Sequence, residues 1–94
     1  MPVYLVSYDI LNEGGSHDYE ALWRDLKLSG AQSVQDGLWM VELDGDLPCV
    51  ESRFAGFLDR GDRLFVTRLK AGEFLQSQSR SGTDAWIAAH LADG

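Results

Sequence analysis

"VYLVSYD" (residues 3–9) decides how the rest of the chain must be arranged. Val3, Leu5 and Ser7 alternate with Tyr4, Val6 and Tyr8, the two-residue period of a β-strand. Both faces are largely apolar, the mark of a central strand covered on two sides. The run ends on Asp9 and enters a loop, residues 10–16, in which Gly14-Gly15 interrupts regular structure. A carboxylate placed there has two readings. It is a metal ligand at the centre of an active site, or it accepts backbone N–H bonds and closes the strand.

Working outward, the period changes. Tyr19, Leu22, Trp23 and Leu26 fall at i, i+3, i+4 and i+7, which predicts a helix over 17–29 with these four on its buried face. Ser16 or Asp18 is the expected cap and Gly30 the expected stop. "AQSVQ" (31–35) reads as a thin polar edge strand, Asp36-Gly37 as a tight turn and "LWMVEL" (38–43) as a robust strand. Asp46 caps a second helix carrying Pro48 in its first turn and burying Val50, Phe54, Phe57 and Leu58. "DRGDRLFVTRL" (59–69) supplies a turn at Gly61 and another strand. Residues 70–82 lose periodicity and read as an arm, with a brief edge strand at 73–75. Thr83 then caps a short helix with Trp86, Ile87, His90 and Leu91 on one side.

The order strand, helix, strand, strand, helix, strand predicts an α+β, ferredoxin-like βαββαβ fold: an antiparallel sheet with both helices on one face. Residues 1–69 form that domain. Residues 70–94 form a C-terminal arm and short helix, packing on the same domain or on a dimer partner. Two helices cover one face only, and the second is too apolar for water. A homodimer, with the tail helping to seal it, is the favoured cover.

Bulk properties narrow the function. Ninety-four residues make one domain. Fifteen acidic residues against eight basic ones, a formal charge of -7, oppose sequence-independent binding to nucleic acid. Cys49 is the single cysteine, so no intramolecular disulfide can form and a reducing compartment is the simplest setting. No basic region precedes a long apolar run, and no apolar stretch approaches the roughly 20 residues that span a bilayer. A cytoplasmic protein with no membrane association is expected.

The segments "VYLVSYDI", "DYEALWRDLKLSG", "LWMVEL" and "FLDRGDRLFVTRL" resemble the small SinR-family, CRISPR-associated-2-like proteins. The resemblance extends to about Leu69, with a tail tryptophan as a looser match. It implies a ferredoxin-like homodimer. In the wider group, an aspartate after the first strand's aromatic residue can bind a divalent metal at the dimer interface, and Asp9, following Tyr8, stands at that position. Two departures point away from cleavage and from DNA bridging. Asn12-Glu13-Gly14-Gly15 replaces the arginine cluster that often follows the first strand, and the chain is acidic.

Two functional classes follow. One is a metal-dependent ribonuclease or deoxyribonuclease in which Asp9 of each subunit holds Mg²⁺ or Mn²⁺ and activates water. The other, which the charge and the missing arginines favour, is a non-catalytic homodimeric module that binds a protein partner. Asp36 and Asp62 should lie at the same end of the sheet as Asp9, although each adjoins a turn glycine where aspartate is locally favoured. Cys49 with His17 or His90 would make a nucleophile pair only if the fold joined them. Arg60, Arg63 and Arg68 either form a basic patch along the last strand or engage the interleaved Asp59 and Asp62 in surface ion pairs.

Overall fold

The computed structural model describes residues 1–11 and 17–91. The loop segment 12–16, with Ser16 and Gly14-Gly15, and residues 92–94 lie outside the described residues. The described chain is an α+β unit of four strands and three helices. In chain order these are β1 (Val3–Asp9), α1 (Glu20–Leu28), β2 (Gln32–Gln35), β3 (Leu38–Glu42), α2 (Leu47–Ala55), β4 (Arg63–Leu69) and α3 (Thr83–His90). The strands form one antiparallel sheet in the order β2-β3-β1-β4.

Register divides the side chains between two faces, because directly opposed residues share a face. Val6 opposes Trp39 and Val66, so the Tyr4-Val6-Tyr8 face continues into Trp39, Val41, Leu64 and Val66. Helices α1 and α2 bury this face. Leu22 and Leu26 of α1 and Val50 and Phe54 of α2 join Tyr4, Val6 and Val41 in one core. Tyr4 is 1% exposed, and its hydroxyl donates to Gly45 O at 2.7 Å, so the phenol enters the core with its polar end satisfied. Arg53 of α2 clamps Asp25 of α1 through Nε and Nη2 at 2.9 and 2.7 Å, tying the two helices together at the surface.

The opposite face carries Val3, Leu5, Leu38, Met40 and Leu69. Here α3 of the same chain provides the cover: Trp86 packs with Val3, Val34 and Met40, flanked by Ile87 and Leu91. Trp86 Nε1 donates to Gly30 O at 2.8 Å, and its ring stacks on His90 with centroids 4.0 Å apart. A second copy is therefore not needed to cover that half of the face. Phe65 opposes Ser7 on the same side and stays 67% exposed.

Several local expectations need correction. Helix α1 starts at Glu20 rather than 17, and its N-cap Tyr19 supplies no side-chain cap. Asp18 Oδ1 instead accepts from Glu20 N at 2.9 Å, a local turn that competes with earlier helical propagation. Phe57 and Leu58 follow α2, which ends at Ala55 with Gly56 at its C-cap. No strand forms at residues 73–75, where Glu73 N bonds back to Lys70 O in a turn. The N-cap of α3 is Gly82, at φ 93°. Thr83 spends its hydroxyl on Arg80 O at 2.7 Å.

Among the described residues, no helix is long and apolar enough to cross a membrane.

Candidate functional site

The Asp9 end of the sheet is assembled by one close approach. Gly37, in the two-residue turn between β2 and β3, has φ +65°, and a Cβ there would stand 2.4 Å from Tyr8 O. Only glycine fits, and Tyr8 N donates to Gly37 O at 2.8 Å. This contact brings the turn beside the end of β1. A cavity of about 370 Å³ opens there, lined by Tyr8, Asp9, Trp23, Ser33, Asp36, Trp39 and Arg80, with Ile10 and Gly37.

Asp9 and Asp36 thus share a cavity, as the topology predicts. Each has an arginine beside it. Asp9 sits opposite Arg63 on β4, with Oδ2 3.8 Å from Nη1, and its side chain is 66% exposed. Asp36 Oδ1 accepts from Arg80 Nη2 at 2.7 Å. Among the described residues, no three His, Cys, Asp or Glu side chains gather into a metal-holding group. For a divalent cation, one chain offers at Asp9 a single carboxylate that already faces a guanidinium. That donor set does not fit the ion unless a second copy supplies more.

Asp62 lies at the same end of the sheet but does different work. Its Oδ1 accepts from Leu11 N at 3.0 Å, and its Oδ2 accepts from Asp59 N at 2.8 Å and Tyr19 Oη at 2.5 Å. One carboxylate therefore joins the chain after β1, the start of α1 and the turn before β4. The Tyr19 bond is the main reason that the Asp62 carboxyl lies below its ordinary range. Burial, followed by the Asp62 bond, pushes the Tyr19 phenol up to about 12. The sign of the linkage follows. Between the ordinary tyrosine range and about pH 12 the folded state holds a proton that the unfolded chain releases, so stability falls as pH rises through that window. At the acid end, the Asp62 contribution is lost as pH falls through its lowered value. Tyr19→Phe should flatten the alkaline slope in urea titrations repeated across pH, and an unchanged slope would assign it to another group.

The other sequence candidates are dispersed. Cys49 is exposed in the first turn of α2, and its N–H donates to Asp46 Oδ1 at 3.0 Å, confirming Asp46 as the cap. The Asp46 carboxylate also pushes the Cys49 thiol up, away from a reactive thiolate. His17 is 2.8 Å from Phe57 O through Nε2, and His90 is 3.5 Å from Glu42 through Nδ1. Neither is paired with Cys49 among the described residues. Arg63 and Arg68 have opposite parity on β4 and lie on opposite faces, so they do not form a stripe along it.

No protein-family model matches this chain, and no solved structure gives a significant match. The chain's own geometry carries the functional reading.

What the sequence reading missed is the aromatic wall. Trp23 lies in the helical stripe expected to be buried, yet it is 44% exposed. Its Nε1 donates to Tyr8 Oη at 3.1 Å, and Trp39 Nε1 donates to the same oxygen at 3.1 Å. No spacing rule signals that two indoles from different elements will meet on one phenol.

Proposed function

We propose that the chain is a non-catalytic, homodimeric protein-interaction module with the ferredoxin-like architecture of the CRISPR-associated-2-like proteins. The strand order, with β1 and β3 central, supports that architecture, as do two helices packed on one face. The observation that carries the interaction reading is the contrast between the two sheet edges. Strand β2 is short, polar and irregular, with a register shift between Ser33 and Gln35. The arm also closes it: Arg80 N donates to Val34 O at 3.0 Å, and Arg80 Nη1 to Ser33 Oγ at 2.8 Å. Strand β4 runs seven residues in unbroken register with β1. Its outer edge pairs with no other strand among the described residues, and Phe65 projects beside it. Uncovered edges of this kind invite another strand, and natural sheets usually blunt them with charge, proline or a bulge. Strand β4 carries Arg63 at its start and Arg68 near its end, and between them the segment "LFVT" (64–67) has no charge, proline or bulge. A second copy of the chain, adding strand to strand, is the partner proposed for this edge.

Sedimentation velocity at micromolar concentration should give a dimer, and Phe65→Lys should give a monomer with unchanged circular dichroism. The substituted side chain is already exposed, so stability should move by less than about 0.5 kcal/mol. A wild-type monomer under these conditions would overturn the dimer. The catalytic alternative is tested separately. Labelled RNA and DNA incubated with Mg²⁺ or Mn²⁺ should remain intact with the wild type and with Asp9→Ala. Cleavage by the wild type that Asp9→Ala abolishes would make the protein an enzyme.

A further inference from the structure

The cavity beside Asp9 is lined by a hydroxyl that already accepts two indole N–H groups. An indole N–H can only donate, whereas a phenolic oxygen has two lone pairs and one proton. Trp23 and Trp39 both donate to Tyr8 Oη, so the hydroxyl keeps its own proton to donate to solvent or to a ligand in the cavity. Ser33 is in a similar position: Arg80 Nη1 donates to its Oγ at 2.8 Å, leaving the hydroxyl a proton to give. Both hydroxyl-bearing side chains line the cavity, together with Asp9 and Asp36, which can only accept when ionised.

Charge decides what kind of molecule fits. The two carboxylates are matched by Arg80, bound to Asp36, and by Arg63, facing Asp9. The site therefore has little net attraction for a phosphate or for an ammonium. A quaternary cation, the usual occupant of an aromatic cage, would meet the Arg80 guanidinium and the positive end of the Tyr8 hydroxyl. Aromatic surface bordered by both donors and acceptors suits an uncharged planar heterocycle, which stacks on its face and hydrogen-bonds along its edge. The volume, about 370 Å³, is within the range of small-molecule sites.

We infer that this cavity binds a neutral heteroaromatic ligand of the nucleobase or nucleoside class, stacked on Trp23, with an acceptor on the Tyr8 hydroxyl and a donor toward an aspartate. The inference does not rest on the dimer: the cavity lining includes no β4 residue, and Arg63 only faces Asp9 from outside it.

The test follows the three indole N–H signals of the full chain by ¹H–¹⁵N NMR. Adenosine, guanosine, cytidine and uridine are titrated separately, with tetramethylammonium as the cation probe. At least one nucleoside should shift the Trp23 and Trp39 signals saturably and leave Trp86 unmoved, because Trp86 lies on the other face of the sheet, bound to Gly30. Tyr8→Phe keeps the ring and removes the hydroxyl that accepts both indoles and donates to the ligand, and should weaken that nucleoside about tenfold. Trp23→Ala, at an exposed position, should abolish binding while the amide spectrum stays folded. No saturable shift with any nucleoside up to its solubility limit would overturn the inference. So would shifts produced by tetramethylammonium alone, or nucleoside binding that survives both substitutions.

Discussion

Phe54→Ala should cost about 3–5 kcal/mol and leave the fold only marginally populated. Phe54 is fully buried, the last large side chain of α2 before the helix ends, and it packs among Tyr4, Leu22, Leu26 and Val41. Truncation removes the ring from the place where both helices meet the sheet. The surrounding groups come from α1, β1 and β3, held in place by the sheet register and by helix packing, so they close on the gap only in part. The loss therefore includes a cavity penalty as well as the lost transfer energy. Domains of this kind have total stabilities of about 5–15 kcal/mol, so this single loss is a large share. The check is a urea titration followed by circular dichroism, in which the midpoint should fall by more than about 1 M with little change in slope. A midpoint within experimental error of the wild type would mean that α2 is not held by this core.

The second large effect is expected at Trp86, and it should be local. Trp86→Ala removes the main apolar anchor of α3, its hydrogen bond to Gly30 O and its stack on His90. Truncating a buried tryptophan commonly costs about 3–5 kcal/mol. An eight-residue helix has no stability of its own in water, so α3 persists only while docked. Once docking is lost, the core on the opposite face still holds the sheet to α1 and α2. Hydrogen exchange should therefore show the α3 amides losing protection while those of β1, β3 and α1 keep theirs. The uncovered Val3, Leu5 and Met40 should also increase self-association. Protection in α3 equal to the wild type would show that contacts other than Trp86 hold the helix.

These two cores account for what was readable in the chain. The two-faced alternation of residues 3–9 depends only on the strand period, and the structure places both faces against apolar partners. Asp36-Gly37 and Asp46-Leu47-Pro48 are local signals, set by turn and cap chemistry within a few residues, and both appear where expected. The misplaced boundaries are also local. Asp18 engages the backbone of Glu20, a turn that delays α1, and the Thr83 hydroxyl bonds backwards to Arg80 instead of capping α3. Helical periodicity cannot report either choice, because it registers which side chains share a face and not which backbone groups compete.

The site was legible only in part. Asp9 could be placed beside Asp36 from topology, since antiparallel pairing brings the end of β1 to the start of β3. Its pairing with Arg63 required the register of β4, which the sequence leaves open. Trp23 shows the limit most clearly. At i+4 from Tyr19 it belongs to the apolar stripe by spacing, yet it is 44% exposed and its indole N–H reaches out to Tyr8.

The sequence by itself determined the elements, their order and the need to cover two faces, because these follow from periodicity and from the cost of exposing apolar surface. Only the tertiary structure decided that α3 covers the second face and that the arm closes the β2 edge. The same holds for the two indoles that meet on Tyr8. Those outcomes depend on contacts between residues far apart in the chain, selected by shape and by the pairing of individual donors and acceptors.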